Sequence, residues 1–198
     1  MIVARAYLDD YAPATAADVQ WWSGFSKAEA TRALEALADE LVTVDVDGTP
    51  YLQLAANLDA LRAAPDHLPR GVRLLPIWDA YLMAYKDRTR YLRPEHYDRV
   101  YDKMGNATSV LLIDGQVGGV WDMVEAKGSL EVKAALFDSG DDAVWQGLAD
   151  EAARLAQAAG FTSFRLLRCD TSPDLKSGAR NLFMSPLKDV MGVEIARG

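Results

Sequence analysis

Residues 26 to 54 read SKAEATRALEALADELVTVDVDGTPYLQL, and the hydrophobic period changes from helix to strand partway through. Ser26 followed three residues later by Glu29 is a capping box, and Ala28, Leu34, Leu37 and Leu41 continue an apolar face at helical spacing. From Leu41 the pattern alternates. Leu41-Val42-Thr43-Val44-Asp45-Val46 is rich in β-branched residues, Asp47-Gly48 is a two-residue hairpin signal, and Tyr51-Leu52-Gln53-Leu54 supplies the return strand. Upstream, Ile2 to Tyr11 places Val3, Tyr7, Leu8 and Tyr11 on one helical face, and Pro13 ends that helix. Thr15 caps a second helix through Trp22, with Asp18 suited to its positive end, and Ser23-Gly24-Phe25 makes the turn. Two helices joined by a tight turn and followed by a hairpin predict a winged helix-turn-helix domain over residues 1–64.

The remainder, residues 65–198, predicts a second, strand-rich domain, giving an α+β chain. Residues 55–71 are polar and alanine-rich, with Pro65 and Pro69 bracketing His67, and read as a linker. Val72 to Asp79 looks like a buried strand running into a turn. Thr108 to Ile113, Gln116 to Val124 and Ser129 to Phe137 form a meander with turns at Asp114-Gly115 and Lys127-Gly128. Residues 141–160 form an amphipathic helix with Val144, Leu148, Ala152, Leu155 and Ala159 as its stripe, and Phe161 to Leu167 is a last strand. The tail from Asp170 carries no assignable pattern.

Composition excludes several classes of function. No apolar run approaches the length of a membrane span, and Met1 to Tyr11 has no basic start and no unbroken apolar stretch, so a cytoplasmic protein is expected. Cys169 is the sole cysteine, and His67 and His96 lack ligand spacing, so neither a disulfide nor a metal site is expected. The chain has no P-loop, no GxGxxG and no GxSxG elbow, so no cofactor and no catalytic residues are assigned. Asp9-Asp10 and Asp141-Asp142 read as helix-end charges.

Net charge is −8, which opposes tight non-specific binding to nucleic acid. Its distribution is uneven. Residues 1–66 carry 4 basic and 11 acidic groups, 67–103 carry 8 and 5, and 104–198 carry 9 and 13. Within the basic middle segment, Lys86, Arg88, Arg90 and Arg93 interleave with tyrosines, which suits contact with phosphates and stacking on bases. A solvated loop and helix, its arginines paired with Asp87, Asp98 and Asp102, fits the same residues. The third helix offers Lys27 and Arg32 against Glu29, Glu35, Asp39 and Glu40, so it reads either as a weak DNA-reading helix or as a protein-docking surface.

Leu74-Leu75-Pro76-Ile77-Trp78-Asp79-Ala80-Tyr81-Leu82 resembles a bacterial winged-helix family that includes the AlkZ and YcaQ type DNA glycosylases, which unhook interstrand crosslinks. Tyr11 to Asp18 with Trp21-Trp22-Ser23-Gly24 resembles the start of that family's last winged helix, and Val110 to Trp121 a barrel hairpin. The resemblance runs over residues 1 to about 160. It implies that this chain corresponds to the C-terminal half, with an antiparallel β-barrel-like domain packed by the helix 141–160. Catalysis in the family is attributed to a Gln-x-Gln or Gln-x-Asp motif in the N-terminal half. No position here matches it, since Gln20 is followed by Trp21-Trp22. The expectation is a duplex-DNA-binding protein without complete catalytic machinery of its own. The alternative is the C-terminal part of a glycosylase that is truncated or completed by an N-terminal winged-helix partner chain. A protein-interaction module is a third reading.

Overall fold

The structure, a computed structural model, describes residues 2–64, 71–170, 175, 187 and 191–198. Pro65, His67 and Pro69 of the expected linker, and most of the tail, lie outside the described residues. The chain forms two compact units, Met1–His67 with Ala80–Arg88, and Leu68–Asp79 with Thr89–Gly198.

The first unit comprises α1 (Ile2–Tyr11), α2 (Ala16–Ser23), α3 (Lys27–Glu35), β1 (Leu41–Val46), β2 (Thr49–Leu54), α4 (Leu58–Arg62) and α5 (Ala80–Met83). Both expected caps are present. Thr15 and Ser26 each accept a hydrogen bond from the third residue of their helix, and Asp18 and Glu29 reach back to the cap amides. The apolar faces differ in detail from expectation. α3 stops at Glu35 and continues as a 3-10 turn at Ala38–Glu40, and its buried stripe is Ala30, Ala33 and Leu37, while Ala28 is exposed. Likewise α1 buries Ala4, Tyr7 and Leu8 and leaves Val3 exposed. In both helices alanines form part of the buried stripe, and a reading weighted toward large side chains gives them too little importance. β1 and β2 pair antiparallel from Leu41 opposite Leu54 to Val46 opposite Thr49. Ala14 then adds a bridge to Leu52 through two hydrogen bonds of 3.1 and 2.7 Å, tying the loop before α2 to the hairpin.

The second unit holds β3 (Val72–Leu75), α6 (Tyr97–Val100), β4 (Val110–Ile113), β5 (Gln116–Ala126), β6 (Ser129–Leu136), α7 (Asp142–Ala158), β7 (Phe164–Arg168) and β8 (Val193–Arg197). The strands form one six-stranded sheet in sequence order. All pairs are antiparallel except β6 and β7, which run parallel with α7 as their crossover. The expected meander is present, but the expected barrel is not closed. β3 and β8 are opposite edges and do not pair, whereas a barrel requires its first and last strands to share a ladder. One face of the open sheet is instead sealed by α7, whose Leu148, Ala152 and Ala156 pack on Leu111, Val132, Phe164 and Leu166. The outer positions Val144 and Leu155 are half-buried and Ala159 is exposed, so the helix buries a narrower stripe than its pattern suggested.

The tightest backbone approach in this sheet is at Gly119, where an added Cβ would lie 2.5 Å from the Ala135 carbonyl oxygen. Gly119→Ala is expected to lower stability by about 1–3 kcal/mol in urea unfolding, because two paired strands must move apart. Gly118→Ala meets only the Ile113 side chain, at 2.6 Å, and should cost less because that side chain can turn away.

Candidate nucleic-acid interface

The basic segment begins inside the first unit, where the chain returns to pack against α1 and α2. Three hydrogen bonds fix the return. The Tyr7 hydroxyl donates to the Ala84 carbonyl at 3.0 Å, the Tyr85 hydroxyl to the Tyr11 carbonyl at 2.9 Å, and the Lys86 amide to Asp18 Oδ1 at 2.8 Å. Asp18 is buried, and its other oxygen accepts from the Thr15 amide and hydroxyl at 2.9 and 2.7 Å. Lys86 itself faces solvent.

Arg88 does not. Its residue is 7 % exposed, and its guanidinium carbon lies 5.7 Å from the centroid of the Trp21 ring. A cation packed on an indole and largely shielded from solvent stabilises the fold and is poorly placed to meet phosphates. In the same unit Lys27 and Arg32 are exposed on α3, alongside the exposed Glu29 and Glu35. The Glu29 carboxyl is held below the usual carboxylate range by hydrogen bonds from the Ser26 side chain and backbone, with Arg32 contributing. It therefore stays charged and offsets the field of its neighbours.

In the second unit Arg90 is half-buried, and its carbonyl accepts from Gln116 Nε2 at 3.1 Å. Arg93 is exposed but engaged in ion pairs with Asp138 and with Glu95, the latter at 3.7 Å. The aromatic residues of the segment are turned inward. Tyr91 and Tyr101 are fully buried with their hydroxyls 2.9 Å apart, Tyr97 stacks on Tyr101 at 5.0 Å, and Arg99 lies over Phe137 at 5.4 Å. The interleaved basic and aromatic residues therefore build a core as well as a surface. Of the six candidate cations, Lys86, Lys27 and Arg32 are exposed, Arg90 is half-buried, Arg93 is committed to carboxylates and Arg88 is buried.

The Asp114-Gly115 hairpin is shaped by its own carboxylate. Asp114 Oδ1 accepts from the Gly71 amide at 2.7 Å, which draws the negative group back onto the chain instead of projecting it from the tip. The sequence did not reveal two adjoining clefts near the end of β6, of about 310 and 400 Å³, lined between them by Arg93, Gln116, Asp138, Trp145 and Arg168. These residues lie far apart in sequence, and only the turn Phe137 to Asp141, which leads from β6 into α7, could have hinted at them. Their cations are paired, Arg93 with Asp138 and Arg168 with Asp170 at 3.3 Å.

No group of metal-binding side chains occurs among the described residues. Cys169 is buried and its thiol is pushed up by burial, the reverse of an activated nucleophile. No helix among the described residues is long and apolar enough to cross a membrane.

Residues 2–158 match the family described as DNA glycosylase AlkZ-like. The chain is 32% identical over 165 residues to an interstrand DNA cross-link repair glycosylase of Streptomyces sahachiroi, covering 81% of this chain and 43% of that protein. The solved structure of the Streptomyces sahachiroi DNA glycosylase AlkZ superposes with a TM-score of 0.69 at 30% identity, over 82% of this chain and 43% of that one. The chain belongs to the AlkZ-like DNA glycosylase family and spans less than half the length of these relatives.

His96 is buried beside Phe137, with ring centroids 4.4 Å apart, and its Nε2 lies 2.7 Å from Arg93 Nη2. Arginine can only donate, so this nitrogen accepts and the imidazole is neutral. Burial, then Arg93, lowers the pKa below the ordinary 6.5, with Arg99 adding to the effect and Glu95 and Asp138 opposing it. The unfolded chain takes up this proton more readily than the folded one, so the stabilisation is full above pH 6.5 and is lost as pH falls through the lowered folded value. Thermal unfolding at decreasing pH should show this loss in the wild type, and His96→Gln should flatten it.

Proposed function

We propose that this chain is the DNA-engaging C-terminal part of a glycosylase-like repair protein, with the catalytic residues supplied by sequence outside it or by a partner chain. The observation that carries this reading is the match over residues 2–158 to a DNA glycosylase family, at 43% of the length of a cross-link repair relative. The absence of the Gln-x-Gln or Gln-x-Asp pattern supports a division of labour, because Gln20 sits mid-helix in α2 and precedes Trp21 and Trp22. On this reading α1 to α3 with the β1–β2 hairpin form a winged helix, and the open sheet corresponds to the barrel portion of its relatives. A stand-alone duplex-binding protein with no catalytic partner is the second reading. The exposed cations of both units are compatible with it.

Duplex contact falls to Lys86, Lys27 and Arg32 in the first unit and to Arg90 in the second. Arg88 is reassigned to holding the fold, and Arg93 to its carboxylate pairs. A DNA target is consistent with the net charge of −8 only if phosphate contacts are few, which makes the dependence of binding on salt shallow. In gel-shift titrations at several salt concentrations, Lys86→Ala and Arg90→Ala should each weaken duplex binding uniformly across sequences and reduce the salt slope by about one. Arg88→Ala should lower the melting temperature and leave the slope unchanged. Binding that is unaffected by both Lys86→Ala and Arg90→Ala would overturn the assignment.

A further inference from the structure

Among the described residues, four non-glycine positions have left-handed backbone: Asp47, Trp78, Asp114 and Lys127. Asp47, Asp114 and Lys127 each precede a glycine of positive φ in a two-residue hairpin turn, where this conformation is required. Trp78 is different. It has φ +56 with no glycine beside it, a conformation that is costly for a bulky side chain.

The turn is held in this state from three directions. Trp121 Nε1 donates to the Leu75 carbonyl at 2.8 Å, the Trp78 amide to the Ala107 carbonyl at 3.2 Å, and the Asp79 amide to the Pro76 carbonyl at 3.2 Å. What the strained backbone presents is an indole that is 45 % exposed, next to Ile77 at 36 %. The loop that the Trp78 amide bonds to is itself tied by hydrogen bonds. Asp102 Oδ1 accepts from the Met104 and Asn106 amides at 2.8 and 2.9 Å, and Met104 and Lys103 are exposed on it.

We propose that Trp78 is a pre-set stacking platform for an unpaired base of a DNA duplex, with Lys103 available to the flanking phosphate. The inference rests on the DNA-binding reading above and adds to it a residue that recognises a disturbed base step. An aromatic side chain carried on a backbone held at an energetic cost suits a flat partner with a π surface, and the exposed Lys103 on the loop that the Trp78 amide bonds to suits a polyanion over an apolar peptide. Backbone strain held by surrounding hydrogen bonds pre-organises the indole, so that little ordering remains for the moment of binding.

The test compares the full chain with Trp78→Phe, Trp78→Ala and Trp78→Gly on a fully paired duplex and on the same duplex with one bulged base. The wild type should prefer the bulged duplex, and its tryptophan fluorescence should be quenched on binding by more than that of Trp78→Phe. Trp78→Ala and Trp78→Gly should lose roughly 5- to 100-fold in affinity for the bulged duplex, with a smaller loss on the paired one. Trp78→Gly, which relieves the left-handed strain, should melt no lower than wild type, so its loss of binding cannot be ascribed to misfolding. Equal affinities of the wild type and Trp78→Gly for the bulged duplex would overturn the platform and leave the DNA-binding reading standing. Failure of the wild type to bind either duplex would overturn both.

Discussion

Asp18 is the constraint on which the placement of the basic segment depends. Its carboxylate is buried and accepts three hydrogen bonds, from the Thr15 amide and hydroxyl at the start of α2 and from the Lys86 amide. A buried charge is tolerated when it is hydrogen-bonded on both oxygens, and removing it would leave those donors unpaired. One side chain therefore caps a helix and pins a stretch of chain 68 residues further on. Because the pin falls on the Lys86 backbone, the Lys86 side chain points to solvent, while Arg88, two residues later, is packed over Trp21.

That anchoring changes the meaning of positive charge in the molecule. A segment counted as eight basic and five acidic groups presents fewer free cations than its sequence implies, because Arg88 is buried and Arg93 is paired with Asp138 and Glu95. What remains is a sparse set of exposed lysines and arginines on an otherwise acidic surface. Such a surface disfavours bulk polyanion, so the proposed duplex contact depends more on shape and on the proposed Trp78 stacking than on summed charge.

Much of the architecture was legible in the sequence because it is written in short-range signals. The Thr15 cap, the Ser26–Glu29 capping box, the Asp47-Gly48 turn and the meander turns at Asp114-Gly115 and Lys127-Gly128 all formed as read, and Asp18 completes a second capping box with Thr15. Signals that depend on distant partners were not legible. Sheet closure depends on whether β3 meets β8, and neither strand's sequence records the other. The same holds for the site. A cation's chemistry can be read from its residue type, but whether Asp138 or Trp21 has already claimed it is a tertiary fact. Trp78 stood out only as part of a family-like string, and its left-handed backbone has no sequence signal because no glycine or asparagine marks it.

The most direct measurement of the central claim is amide hydrogen exchange at Lys86, read by NMR in the wild type and in Asp18→Ala. The account expects the Lys86 amide to be strongly protected in the wild type and to exchange much faster once the carboxylate is gone, while amides in the core of α7 keep their protection. A Lys86 amide that exchanges at the rate of an open loop in the wild type, or that is unmoved by Asp18→Ala, would contradict it.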